Sequence, residues 1–351
     1  MMKAQLAIEI GFDKVRACVS IGKDIYNVPL GLLSSPYAFP PIGVKSQSGY
    51  KFGEIAKLST VTSPDLIVFF HDYLRQNTIP QEAFISLLNT IIERTEKFCN
   101  ANVESIALIT PPYFKDLVQS RFLNDCVSSV LNNIEIQNTS ISFCRSYLNV
   151  NIGQRVLLLD FRDIPTYISI VYRSSRSYES IGAQAIDDFS SIDCENFIED
   201  KILSKYDSDL FPDREIVSAW IQGEIASKIA QDAIYQLLMG KDIGYEIPFC
   251  ANHILISQSV FQNWLLPQLD KVCERIIEFV RDSGLNISDF SQVVLLGGLF
   301  ESQLVRGRIE KFLNGYTQEI RYSYFSSLMD EWKICESVLN NNNNSLYALE
   351  L

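Results

Sequence analysis

The stretch Arg155–Tyr172, RVLLLDFRDIPTYISIVY, decides how the chain is read. Val156 to Leu159 is an apolar run that Asp160 closes. Phe161 to Pro165 breaks the pattern, and Tyr167 to Tyr172 reads as a returning strand. A strand, a tight turn and a second strand make a hairpin, here with a carboxylate at its mouth. The N-terminus has the same plan. Leu6, Ile8 and Ile10 alternate with Ala7 and Glu9, residues 11–14 turn the chain, and Val15, Ala17, Val19 and Ile21 alternate back. An acidic-mouthed hairpin that occurs twice predicts two similar lobes facing each other.

The segments around the hairpins alternate strand and helix. In the first half, Pro80–Cys99 shows helical spacing of Phe84, Leu87, Leu88, Ile91 and Ile92. Val103–Thr110 reads as a buried strand, Asp116–Leu131 as a helix, Ile134–Gln137 as a short strand and Ile141–Leu148 as a helix. In the second half, Ser177–Phe189 contains Gly182 and a strand-to-helix change, and Asp193–Lys205 is a helix with Asp193 as its N-cap. A long helix follows at Glu224–Met239, then strands at Tyr245–Phe249 and His253–Ile256. Val260–Arg281 is the strongest amphipathic segment, with Leu265, Leu269, Val272, Ile276 and Val280 as its stripe. Val293–Leu296 is a buried strand running into Gly297-Gly298, followed by a helix at Ser302–Leu313, a strand at Gln318–Tyr322 and a helix at Met329–Leu339. Alternation of this kind indicates α/β layers.

With 351 residues, 47% of them hydrophobic, the chain can build two packed domains. A formal charge of −12 argues against nucleic acid or an anionic membrane surface as the main partner. The eight cysteines form no CxxC pair and sit mostly in apolar segments, so they read as small buried hydrophobes in a reducing compartment. No signal core or membrane-spanning run is visible, which makes a cytoplasmic protein the expectation. His71 and His253 share no ligand-like spacing with cysteines or carboxylates, and there is no GxSxG string.

This order of elements, with several local strings, resembles the nucleotide-binding domain of the seventy-kilodalton heat-shock chaperones, a member of the fold shared by actin and sugar kinases. The resemblance runs from about Leu6 to Leu339. Glu9-Ile10-Gly11-Phe12-Asp13 stands where the family has Asp-Leu-Gly-Thr-Thr. Thr110-Pro111-Pro112-Tyr113-Phe114 resembles Val-Pro-Ala-Tyr-Phe. The run from Asp160 to Tyr167 matches Asp-Leu-Gly-Gly-Gly-Thr-Phe-Asp. Ile181–Asp187 resembles Leu-Gly-Gly-Glu-Asp-Phe-Asp, and Leu296–Glu301 the adenosine string Val-Gly-Gly-Ser-Thr-Arg. The fold implied is two actin-like lobes, duplicated ribonuclease-H-like units around a central cleft. Lobe I covers residues 1–150 with an outer subdomain near 37–100. Lobe II covers residues 151–339 with an outer subdomain near 193–255, and 340–351 is a flexible tail with no peptide-binding domain after it.

The resemblance also implies a ligand, ATP or ADP with magnesium. Gly11, Asp160, Gly297 and Gly298 would be the nucleotide-binding positions, and Glu9 and Asp160 the carboxylates that hold the metal. Glycine turns let backbone N–H groups approach phosphates, and the metal neutralises developing charge. Most of that machinery is replaced. Arg162-Asp163-Ile164 stand where three glycines belong, and Phe12 and Asp13 where two threonines belong. Asp72 falls in the place of the catalytic lysine, and the catalytic glutamate falls near Asn138. Leu299 and Glu301 replace a serine and the adenine-packing arginine. Ile234, Tyr235 and Leu238 replace residues that meet the ribose and base. One lost preorganised donor costs about 10²–10³-fold in rate, so no catalytic residue is assigned. The expectation is a protein that has lost hydrolysis and binds another protein as a scaffold or regulatory module. Two alternatives stand beside it. One is a divergent ATPase in which Arg162 or Lys14 supplies the missing positive charge, and the other is an actin-like polymerising protein. A plainer reading stays open too: Asp160 and Glu9 as ordinary strand-end carboxylates, and Gly297-Gly298 as a tight packing point.

Overall fold

Ile10 and Val15 face each other across the first turn, and that register puts the alternating residues of both strands on shared faces. The computed structural model describes residues 2–11, 14–31, 37–47, 49–53, 55–56, 67–69, 81–111, 126, 128–131, 133–162, 166–186, 189–204, 215–246, 253–316, 321–325 and 334–340. The chain is mixed α/β and divides into two compact units. One is Met1–Gly153 with Val171–Ala183 and Asp330–Leu351, and the other is Gln154–Ile170 with Gln184–Met329.

The first elements are β1 (Met2–Ile10), β2 (Val15–Ile21), β3 (Asp24–Asn27), β4 (Ala38–Phe39), β5 (Ile42–Ser46), β6 (Gly49–Phe52), β7 (Ile67–Phe69), α1 (Gln81–Cys99), β8 (Ala101–Thr110), β9 (Ile134–Asn138) and α2 (Thr139–Tyr147). The main sheet has the order β3-β2-β1-β8-β9, with β4 paired to β2. β1 and β2 are antiparallel, whereas β8 lies parallel to β1 and β9 parallel to β8. A helix is needed between parallel neighbours, and α1 serves between β1 and β8. Its Phe84, Leu87, Leu88 and Ile91 recur at three- and four-residue spacing and are buried against Leu6, Ile8 and Ile10 of β1. Glu82 in its first turn and Lys97 in its last complement the helix dipole. A separate small sheet has the order β6-β5-β7.

The later elements are β10 (Arg155–Asp160), β11 (Thr166–Arg173), β12 (Tyr178–Ile186), α3 (Ser191–Leu203), α4 (Glu215–Leu238), β13 (Ile243–Glu246), β14 (His253–Ile256), α5 (Gln258–Asp282), β15 (Gln292–Leu296), α6 (Gln303–Leu313) and β16 (Arg321–Phe325). A helix over residues 334–340, α7, follows. The second main sheet runs β12-β11-β10-β15-β16, with β10, β15 and β16 mutually parallel. With β4 left out, both paths place their strands, numbered in chain order, as third, second, first, fourth, fifth. The apolar stripe expected on α5 is buried: Leu265, Leu269, Val272, Ile276 and Val280 pack in one cluster with Leu157, Leu159, Ile168 and Ile170. α6 is tied to α5 where the Arg308 guanidinium donates to both carboxylate oxygens of Asp270, each at 2.6 Å. β13 and β14 form a two-stranded sheet of their own. Among the described residues no helix is long and apolar enough to cross a membrane.

Two sequence expectations change in the segment that leads into α3. The segment 178–186 stays a strand through Gly182, so the change to helix comes later, at Ser191. The N-cap of α3 is Ser190 and not Asp193. Asp193 sits in the first turn, where its carboxylate accepts the Ser190 N–H at 2.6 Å and the Ser190 hydroxyl at 2.8 Å, a reciprocal arrangement of the capping-box kind. Most of the expected helix 116–131, residues 247–249, 318–320 and 329–333, and the tail from 341 onward lie outside the described residues. Among the described residues six cysteines are buried (Cys18, Cys126, Cys144, Cys194, Cys273 and Cys335), and Cys99 is partly so. Burial pushes the Cys144 thiol up to about 12. Asp193→Ala should lower the unfolding free energy by about 1 kcal/mol, because Ser190 is buried and loses the acceptor for both its donors. Urea titration measures this, and an unchanged midpoint would show that the cap carries no stability.

Candidate functional site

Asp160 ends β10 opposite Leu296 of β15. The next residue, Phe161, turns inward. Its N–H donates to the Leu296 carbonyl at 2.8 Å, and its ring meets Phe300 edge-on at 4.9 Å and Phe189 at 6.2 Å. With Phe161 anchored, Arg162 folds back over the strand end. Its Nε–H donates to Asp160 Oδ1 at 3.0 Å, its Nη2–H to Oδ2 at 2.7 Å, and its main-chain N–H to Oδ1 at 3.0 Å. Both carboxylate oxygens are thereby engaged by a planar fork, the strongest geometry for such a pair. The side chains are 2% and 12% exposed, so little water competes.

The first hairpin reaches the same result by another route. Glu9 lies directly across from Arg16 in the register of β1 and β2. Arg16 Nη1 donates to Glu9 Oε2 at 3.5 Å, with the side chains 6% and 3% exposed. A buried carboxylate without a counter-charge would cost several kcal/mol. Each hairpin acid expected to hold a metal has an arginine of its own hairpin beside it.

The glycines are committed as well. The Gly11 N–H donates to the Lys14 carbonyl at 2.9 Å and closes the turn. The Gly297 N–H donates to the Phe325 carbonyl at 3.0 Å. Gly297 has φ +122, and a Cβ there would lie 2.9 Å from the Phe161 carbonyl carbon and 3.2 Å from the Arg162 nitrogen. Its bareness is used by the crossing of the second hairpin's own backbone, which favours the packing reading. Gly298 opens a single 3₁₀ turn, Gly298–Glu301, whose Leu299 and Phe300 point into the core. Asp160 and Gly297 are therefore brought together. Glu9 and Gly11 share the other hairpin.

The remaining family positions serve local structure. Asn138 Oδ1 accepts from the Ser140 and Ile141 N–H groups at 2.8 and 3.3 Å and caps α2. Ile234 and Leu238 pack against the core of the second unit, while Tyr235 is exposed. Phe12, Asp13, Asp72 and 163–165 lie outside the described residues. Arg16 was not singled out in the sequence. Its signal was available, because a turn over residues 11–14 between antiparallel strands places residues 9 and 16 opposite each other. No protein-family model matches the chain.

The donor set fits a magnesium nucleotide poorly. Hard cations take several carboxylate and water oxygens, and here the Asp160 oxygens are engaged by three N–H donors. Among the described residues, no group of three His, Cys, Asp or Glu side chains converges. The N–H groups of Gly11, Phe161, Arg162 and Gly297 all have protein acceptors.

Two outcomes follow. Arg162→Ala leaves the Asp160 carboxylate buried without its counter-charge, with only the main-chain N–H of residue 162 as a donor, and should cost about 3–5 kcal/mol in denaturant unfolding. Adding Asp160→Asn should recover part of that loss, and two losses that merely sum would contradict the pairing. Gly297→Ala should cost about 1–3 kcal/mol, since the new methyl group meets backbone and the backbone angle is strained. A neutral result by the same titration would mean that the crossing relaxes.

Proposed function

We propose that this chain is a non-hydrolysing relative of the chaperone ATPase domain. It is built on the duplicated ribonuclease-H-like plan of the actin-like fold and works in the cytoplasm as a protein-binding, scaffold or regulatory module. The repeated strand order of the two main sheets supports the fold part of this reading. The observation that carries the functional part is the Asp160–Arg162 pair. In a working site of this kind, a hydrated metal beside the hairpin carboxylate neutralises the phosphates, and free N–H groups cradle them. Here a covalently attached guanidinium occupies the carboxylate, and the nearby N–H groups are spent within the protein. Arg162 is thus committed to Asp160 and is not a spare positive charge for a divergent ATPase. With the nucleotide chemistry replaced and a packed α/β scaffold kept, the remaining capacity of the chain is recognition of another protein by its surface.

Calorimetric titration with ATP and magnesium, run alongside a phosphate-release assay, tests the reading. The expected result is no saturable heat at micromolar nucleotide and no release above the buffer rate. Micromolar binding with turnover that Asp160→Ala abolishes would overturn it in favour of a divergent ATPase.

A further inference from the structure

The connection from β11 to β12 reads Arg173-Ser174-Ser175-Arg176-Ser177-Tyr178. Ser174 holds it in a fixed turn. Its N–H and its hydroxyl both donate to the Ser177 carbonyl at 2.9 Å, and its Oγ accepts from the Arg176 and Ser177 N–H groups at 3.3 and 3.0 Å. The Arg173 guanidinium lies over the Tyr178 ring at 4.6 Å. That ring is itself anchored, because the Tyr178 hydroxyl donates to the Leu148 carbonyl at 3.1 Å. The Gly153 N–H donates to the Arg173 carbonyl at 2.8 Å, which brings the turn at residues 152–153 alongside. Ile152 in that turn is 65% exposed, and Ser175 and Arg176 are exposed too. All these residues belong to the first unit.

The chain carries 42 acids against 30 bases, yet neither Arg173 nor Arg176 has a carboxylate partner among the described residues. We propose that this corner binds an acidic segment of a partner protein. Two carboxylates of the segment meet Arg173 and Arg176, and an apolar side chain beside them covers Ile152. The charge of the corner selects the occupant, since a guanidinium without an internal counter-ion takes a carboxylate in fork geometry. Stacking on a fixed tyrosine holds Arg173 ready, so less rotamer freedom is lost when it binds. The serine-locked turn does the same for the backbone of Arg176. Arginine and tyrosine next to an exposed aliphatic side chain is the composition of an interface hot spot. The apolar neighbour favours a peptide, which can cover Ile152, over a strand of phosphates, which cannot. This proposal rests on the protein-binding reading of the chain and names the chemistry of the partner.

The test is an array of short Asp/Glu-rich peptides, each with one leucine at a varied position, beside the same peptides with lysine for every acid. The labelled full chain is applied, and the peptides that retain it are titrated in solution by anisotropy. Retention is expected on a subset of the acidic peptides and on none of the lysine counterparts. Arg173→Ala with Arg176→Ala should weaken binding by about tenfold or more, and Ile152→Ser by about threefold. Added salt should weaken the wild-type complex more than that of the double variant. Should the double variant fail to fold, Arg176→Ala alone decides, because that side chain is exposed and has no hydrogen bond or ion pair among the described residues. It should cost about threefold or more. A blank array or equal binding by the arginine variants would overturn the proposal. So would tighter arginine-dependent binding of a DNA duplex or of phosphatidylserine–phosphatidylcholine vesicles, or a dimer of the chain that Arg176→Ala dissociates. The ATP titration reports on the non-hydrolysing reading separately: a blank array with no ATP binding removes this docking site alone.

Discussion

A carboxylate buried at a strand end must find a counter-charge, and in the second hairpin it comes from two residues along the chain. That constraint organises the surrounding structure. Arg162 can fold back on Asp160 because Phe161 is held between the Phe300 and Phe189 rings. Phe161 can sit there because Gly297 presents no side chain where the two backbones cross. The pairing of β10 with β15 brings Gly297 to that crossing. A sheet register, a glycine and an aromatic anchor thus converge on one ion pair that shuts the hairpin mouth. In the first hairpin, cross-strand geometry gives Glu9 the same protection through Arg16. Two different local solutions to one electrostatic problem argue that neutralising these acids internally is a property of the chain as a whole.

Much of the architecture was legible in the sequence because its segments are strongly periodic. The alternation of β1 and β2 sets both their strand character and their register, and the stripe of α5 sets its buried face. The misreadings have local causes. Ser190 and Asp193 are both good N-cap residues, and only the observed bonds show which of them caps and which accepts. The helix expected from Glu224 begins at Glu215 and runs through Gly223. A glycine there costs about 1 kcal/mol relative to alanine, which a helix of that length absorbs.

The candidate site was legible in position and less so in chemistry. Sequence order placed Asp160, Gly297 and the hairpins, and Arg162 stood out as a bulky replacement. That Arg162 grips Asp160, and does not reach for a ligand, depends on where Phe161 is anchored, a tertiary fact. Gly297 serving backbone packing is likewise invisible in a Gly-Gly pair.

Arg162 should hold Asp160 even when nucleotide and metal are abundant. A crystal structure from crystals grown in excess ATP and magnesium examines that directly. The expected result is the Arg162 guanidinium still bidentate on the Asp160 carboxylate, with no metal bound to that carboxylate. A magnesium ion seated on Asp160, with Arg162 swung away and phosphate in its place, would contradict it.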